Sequence, residues 1–478
     1  MAEDTTTAAK APTLRTKLAY GLGSAAFGIK DQGFGFFLLI FYSQVIGVDA
    51  RLVGLALTIA LVLDAISDPI VGYWSDNFRS RWGRRHPFMY ASALPVAISY
   101  FLLWNPPAGW SDEALFWYLV VLAVLTRTFI TFFETPNAAL APELTRDYDQ
   151  RSSLQSWRSF FGWTFGNAMT VMMFIALFPA FVTADIPNGQ FNRDAYSVYA
   201  WIAAGLILFS ILVSSLGTHG EAAKLNQPAS RRVTLGMVFR EIFETLANRS
   251  FLAVFLTAMF AFVAAGLGSA LSVYFTTYFW GFRSEQIGLI TLAIFFSATL
   301  GAVVAPMLSR RLGKKRAAIT LGVVGMFISP LGIILRLFGV LQPATDGAFW
   351  FVFLVGQVDV IIVVAMQILI ASMISDLVEQ SELKTGRRSE GVFFAANTFV
   401  QKITSGLGLT VAALVLALAS FPSGAAPGEV PDAALIALGW WYLPVMLVLR
   451  LLMIGAISLY ALDRAGHESN LKALDARR

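Results

Sequence analysis

Twelve apolar runs of about 20 residues or more leave this chain few ways to satisfy its own backbone. Such a run crosses a hydrocarbon layer of about 30 Å as a helix, with every interior N–H and C=O bonded within the segment. The alternating ten-residue pattern of a membrane β-barrel is missing. Of the 478 residues 57% are hydrophobic and 14% charged, more apolar surface than a soluble core of this length can hide. The sequence therefore predicts an all-α membrane protein. Its helices fall at 17–47, 52–77, 87–106, 113–141, 151–180, 195–217, 249–280, 284–308, 316–341, 348–377, 390–421 and 434–462, numbered helix 1 to helix 12 below.

The order is six helices, a break, then six. We expect an N-terminal six-helix bundle over 1–217, a cytoplasmic linker over 218–248 and a C-terminal bundle with a tail over 249–478. The linker holds His219, Glu221, Lys224, Arg231 and Arg232 before an amphipathic stretch, Val233 to Leu246. Two punctuation marks recur in the halves. A basic turn with glycine follows helix 2 (Arg81-Trp82-Gly83-Arg84-Arg85) and helix 8 (Arg310-Arg311-Leu312-Gly313-Lys314-Lys315). A charged segment follows helix 4 (Glu143 to Arg151) and helix 10 (Asp376 to Glu390). Two related bundles around a midplane cavity are the architecture of a major facilitator transporter. Most of the 35 lysines and arginines lie before helix 1, in alternate loops and after helix 12, which places both termini in the cytoplasm. The net charge of +5 is mostly this bias, and nothing further supports nucleic-acid binding.

Charges inside the membrane carry the functional signal. Asp64 and Asp68 lie one helical turn apart in helix 2, where a bare carboxylate costs roughly 2.5–3.5 kcal/mol. Two on one face call for a cation or for protons. With a rise of about 1.5 Å per residue, Asp31 in helix 1 falls at the depth of Asp64. Asp68, Glu134 in helix 4 and Arg158 in helix 5 form a slightly lower layer. Lys402 in helix 11 sits at cavity depth, and Lys30 adds another cation. Arg127, about two turns from Glu134 on helix 4, reads as an ion-pair strut or a substrate contact. Asp359 and Gln357, high in helix 10, fit a watery vestibule, while Arg336 and Arg450 read as snorkelling or locally paired. Trp440, Trp441 and Tyr442 read as an interfacial belt.

These residues resemble one family. Phe27-Gly28-Ile29-Lys30-Asp31 is similar to the helix-1 sugar-contact motif of the glycoside-pentoside-hexuronide:cation symporters. Asp64-Ala65-Ile66-Ser67-Asp68-Pro69 resembles their helix-2 cation motif, and Arg81 to Arg85 the loop that follows. Glu134-Thr135-Pro136 stands where the family has an aspartate before proline. Trp157-Arg158-Ser159 matches the helix-5 arginine, and Thr398-Phe399-Val400-Gln401-Lys402 the helix-11 lysine motif. The resemblance implies a cation site of Asp64, Asp68, Thr131 and Lys402, in which Asp64 and Asp68 would be the metal ligands if the ion is Na⁺. It also implies a substrate site of Lys30, Asp31, Arg127, Glu134, Arg158, Thr398 and Lys402. Carboxylate and hydroxyl oxygens are hard ligands that suit Na⁺, and carboxylates alone suffice for H⁺.

The implied activity is symport of a sugar, glycoside or hexuronide with Na⁺ or H⁺. The alternative is a lysolipid or another amphiphile: Asn137 and Ala138 follow Pro136 where a sugar-stacking aromatic pair stands in the best-known family member, and a lysolipid branch keeps the helix-2 carboxylates and the helix-11 lysine. Cysteine is absent, which excludes thiolate chemistry, and no phosphate loop or nucleophile–base pair supports an enzyme. Beyond the coupling ion no cofactor is expected. The expected partners are a small-molecule substrate and the bilayer of the inner membrane, with the protein monomeric.

Overall fold

The computed structural model describes residues 12–145, 147–222, 249–385, 404 and 406–460. The expected all-helical membrane architecture holds. No strand occurs among the described residues, and ten helices are long and apolar enough to cross a bilayer. Helix 1 accounts for a further span, Leu14–Gln32 continued by short α and π segments to Val45, and Gly406–Leu418 is the described part of helix 11. The others run Ala50–Asn77, His86–Leu103, Asp112–Ala138, Tyr148–Met172, Arg193–Ala222, Arg249–Val273, Ser284–Leu312, Lys314–Leu337, Asp346–Thr385 and Asp432–Ser458.

Helix 10 extends eight residues past its expected end at 377, to Thr385, so the charged segment beginning at Asp376 starts inside a helix. A helix that has left the hydrocarbon no longer needs apolar side chains, and hydropathy cannot mark where it stops. The linker, its amphipathic stretch, Thr398 and Lys402 lie outside the described residues.

The chain divides into two units, one of residues 1–38 and 59–231, the other of 39–58 and 232–478. In the first, helix 1 packs against helices 4, 5 and 6, and helix 3 against helices 4 and 6. In the second, helix 7 packs against helix 12, and helix 9 against helices 10 and 12. The pairs 1–6, 3–4 and 3–6 thus recur as 7–12, 9–10 and 9–12. The repeated punctuation recurs with them. In the first unit Arg85 Nε reaches Glu143 Oε1 at 2.7 Å and Arg84 bonds the same carboxylate; in the second, Lys314 Nζ reaches Asp376 Oδ1 at 2.6 Å. Each basic turn closes on its own half's acidic segment.

A further echo is invisible in the sequence. The helix that opens each half loosens to i→i+5 bonding near its end, at Gly33–Phe37 and Phe41–Val45 in helix 1 and at Tyr274–Phe279 in helix 7. Such bulges frequently mark functional positions in helices. Residues 39–58, the end of helix 1 and the start of helix 2, cluster with the second unit. There Ser43 Oγ bonds the Tyr274 hydroxyl, Gln44 Nε2 donates to Pro422 O at 3.1 Å, and the hydroxyls of Thr58 and Thr410 meet at 2.6 Å.

Lipid tails give helices no hydrophobic reason to associate, so close contact depends on small residues. Gly28 is the sharpest case. A methyl group there would run into the backbone carbonyl of Gly162, and one at Gly166 would press on the carbonyl of Gly28 at 2.7 Å. Helices 1 and 5 therefore meet backbone to backbone, within the Phe27-Gly28-Ile29-Lys30-Asp31 segment. The second unit uses alanine to the same end, with Ala253, Ala317, Ala318 and Ala365 buried beside Leu369 and Met373. Large apolar side chains such as Trp201, Phe296 and Leu354 face outward.

Candidate cation and substrate site

All the described candidate residues of the site belong to the first unit, on helices 1, 2, 4 and 5. Asp64 and Asp68, four residues apart, share one face of helix 2. Arg127 and Thr131, also four apart, share one face of helix 4. The two faces meet. Arg127 Nη1 donates to Asp64 Oδ2 at 3.0 Å. Thr131 Oγ1 lies 3.2 Å from Asp64 Oδ1 and 2.7 Å from Asp68 Oδ1. Asp64 is 5% exposed, Arg127 9%, and Thr131 fully buried. Both Asp64 oxygens are therefore engaged, one by a fixed positive charge and one by a hydroxyl that also reaches the second carboxylate. Ser67, between the aspartates, turns its hydroxyl to the Asp64 carbonyl of its own helix at 3.0 Å.

The substrate candidates form two further pairs. Lys30, only 2% exposed, lies 3.5 Å from Asp31 Oδ1 with its ammonium 4.4 Å from the Phe27 ring centre and 5.8 Å from that of Phe34. Asp64, Glu134 and Arg127 also lie within electrostatic reach of that ammonium. The Asp31 side chain is 61% exposed. Arg158 Nη2 approaches Glu134 Oε1 at 4.0 Å, and its Nε donates to Ser24 Oγ at 3.1 Å. Pro136, two residues beyond Glu134, has no N–H for the Phe132 carbonyl, so helix 4 lacks one backbone bond beside that pair. Asp64, Asp68, Arg127 and Thr131 thus form one cluster in the first unit, with Lys30 and Asp31 one pair and Glu134 and Arg158 another. Thr398 and Lys402 fall outside the described residues.

Three features of the site were not read from the sequence. Phe34 lies beside both buried cations, 4.9 Å from the Arg127 guanidinium. It follows Lys30 by four residues, a spacing that puts both on one helix face and is the signal that could have found it. Ser24 orients Arg158. Gly28 sets how near helix 5 lies to helix 1. Arg127 pairs with Asp64, the ion-pair alternative of the sequence reading; its partner could not be read in advance, because residue height fixes depth in a membrane but not which way a helix face points.

Outside the first unit, Arg450 does not snorkel. It is buried and bonds Asp359 Oδ1 at 3.0 Å. Gln357 accepts from Ser297 at 2.7 Å and donates to the Ile290 carbonyl. Trp440 and Trp441 are exposed as an interfacial belt requires, whereas Tyr442 packs inward against Phe275 with ring centres 4.8 Å apart.

Comparison with known proteins follows the same line. A family model described as MFS/sugar transport protein matches residues 19–464. An uncharacterized symporter of Synechocystis sp. is 28% identical, over 97% of this chain and 96% of its own length. The sodium-dependent lysophosphatidylcholine symporter 1 of Gallus gallus is 26% identical over 96% of this chain and 88% of its own. The inner membrane symporter YicJ of Escherichia coli is 26% identical over 86% and 84%. Among solved structures, a D-xylose-proton symporter aligns with a TM-score of 0.61 at 15% identity, covering 92% of this chain and 96% of that one. That likeness speaks for the fold alone.

Proposed function

This chain belongs to the MFS/sugar transport protein family and is a multi-pass membrane transporter, not an enzyme, and on that premise we propose that it couples the entry of a monovalent cation, Na⁺ or H⁺, to uptake of a sugar, glycoside or hexuronide. Its kinship with the glycoside-pentoside-hexuronide:cation symporters, expected from the motifs, is borne out. The observation that carries the coupling is the convergence of Asp64, Asp68 and Thr131 on a few oxygens within membrane helices. In this reading the cation binds there, offsets the carboxylate charge and lets the loaded carrier reorient by alternating access. A monovalent cation moving down 100 mV releases about 2.3 kcal/mol, enough for about fifty-fold accumulation.

Asp31 and Glu134 take substrate hydroxyls, Arg158 orients Glu134, and Lys30 holds Asp31. The exposed Asp31 carboxylate supports this, as an acceptor open to a ligand. The cation site lies in the N-terminal bundle, 1–217, followed by the linker and the C-terminal bundle. The protein acts as a monomer in the inner membrane with both termini in the cytoplasm. A lysolipid is the second reading. Asn137 is buried and accepts from Ser214 at 3.4 Å, so the position after Pro136 serves helix packing and offers no sugar platform.

Binding of glycosides, hexuronates and lysophosphatidylcholine to the purified protein, followed by uptake into proteoliposomes under imposed cation gradients, tests both. Gradient-driven accumulation of a sugar is the expected result. Accumulation of lysophosphatidylcholine alone selects the second reading, and downhill uptake indifferent to any cation gradient overturns symport.

A further inference from the structure

Resting on the reading that Asp64, Asp68 and Thr131 hold the coupling ion, we propose that Arg127 is a resident cation that excludes Na⁺ from this site, leaving H⁺ of the two ions. The residues present do not fit sodium, for three reasons that all run through Arg127.

The first is coordination. A hard cation takes oxygen ligands on several sides. Among the described side chains, Asp64 Oδ1, Asp68 Oδ1 and Thr131 Oγ1 lie together. Asp64 Oδ2, which would make Asp64 a two-oxygen ligand, is taken by the guanidinium, and the Ser67 hydroxyl is spent on its own helix.

The second is charge. A guanidinium does not lose its proton in a protein. An ion bridging the two aspartates would have that permanent charge on the far side of a single carboxylate. Asp64 and Arg127 are both more than nine-tenths buried, where like charges are poorly screened.

The third is confinement. Arg127 cannot step aside at low cost. Its guanidinium lies against the Phe34 ring of helix 1, 4.9 Å from the ring centre, which closes off that side of it. Helix 4 carries Arg127 one turn from Thr131, so guanidinium and hydroxyl grip the same carboxylate from one side. The arginine is part of the site's wall and not a visitor to it.

The test is sodium binding by the purified full-length protein, read apart from transport. Melting temperature and intrinsic tryptophan fluorescence are followed while NaCl replaces choline chloride at constant ionic strength and pH. The wild type is expected to give no saturable response and to bind no ²²Na⁺ in a scintillation proximity assay. Arg127→Ala and the size-conserving Arg127→Gln are expected to gain a saturable sodium-dependent rise in melting temperature, since a ligand bound only by the folded state stabilises it. That gain should vanish when Asp68→Asn is added. A saturable sodium response in the wild type overturns the proposal while leaving the cation site intact, and a folded Arg127→Gln that gains none overturns it as well. If neither variant folds, ²²Na⁺ binding to the wild type decides alone. Failure of the underlying reading looks different: Asp64→Asn and Asp68→Asn would then transport like the wild type.

Discussion

Two aspartate–arginine pairs lie within membrane helices, one in each unit, and both close at 3.0 Å: Asp64 with Arg127 across helices 2 and 4, and Asp359 with Arg450 across helices 10 and 12. In isolation they are chemically the same object. Their surroundings differ. The first pair is tied through Thr131 to a second carboxylate, Asp68. The second pair is balanced one to one. Gly325 leaves room for the Arg450 guanidinium, and beyond the pair lies Tyr442, an aromatic side chain. A balanced pair in lipid satisfies itself and serves as a strut between helices. A pair with a further carboxylate attached brings two acids to one hydroxyl, the arrangement that the proposed coupling site calls for.

Transport separates the two pairs most strongly. Asp68→Asn should abolish gradient-driven accumulation, reducing the substrate ratio in vesicles from about fifty-fold at 100 mV to equilibration. Asp359→Asn should leave a concentrative ratio well above one. Equal loss in both variants would break the comparison and make the second pair a coupling element too.

Stability should rank them the other way. Arg450→Ala strands a buried carboxylate, a change that costs about 3–5 kcal/mol in fully buried pairs; here about 2–3 kcal/mol is expected, because the Asp359 side chain keeps 26% of its exposure. The apolar double variant Asp359→Leu/Arg450→Met should regain most of that loss, as buried pairs often do when replaced whole. Thermal unfolding in detergent, analysed as a double-mutant cycle, measures it. A double variant no more stable than Arg450→Ala would mean that the pair is more than a strut.

How much of this was legible in the sequence follows from what each signal encodes. Apolar length encodes the spans, because the bilayer sets one thickness for every helix. It says nothing about helix 10 beyond residue 377, where the chain has left that constraint, nor about the π segments of helices 1 and 7, whose aromatic sequences Gly33–Phe37 and Tyr274–Phe279 read like any apolar helix. For the site, rise per residue brought Asp31, Asp64, Glu134 and Arg158 to similar depths, and the family motifs supplied Thr131. Direction around the helix axis was missing. That is why the sequence leaves Arg127 open between an ion-pair strut and a substrate contact, whereas the structure pairs it with Asp64, and why Tyr442 reads as membrane surface but packs inside. The contact of Gly28 with Gly162 was beyond reach for a related reason, since a glycine shows close approach only when its neighbour is known.

The smallest effect expected belongs to the group that distinguishes the first pair from the second. Thr131 Oγ1 has one hydrogen and two carboxylate oxygens within bonding range, at 2.7 and 3.2 Å. Nothing in the Asp359–Arg450 pair plays this part among the described residues. Thr131→Val keeps the shape and removes the hydroxyl, leaving Asp64 to Arg127 alone and withdrawing one neutral ligand from the ion. A hydrogen bond to a charged carboxylate contributes about 1.5–3 kcal/mol, so its loss favours the protonated aspartates and the proton concentration giving half-maximal uptake should fall about ten-fold or more; for Na⁺ the lost ligand would instead raise the half-maximal concentration. Thr131→Ser, which restores the hydroxyl without the methyl, should return it to within about two-fold of the wild type, given the freer χ1 of serine. Initial uptake rates against Na⁺ concentration and against pH in both variants decide the matter. An unchanged half-maximal concentration in Thr131→Val would make the hydroxyl a mere packing group, and the two aspartates would then bind the ion without a shared ligand between them.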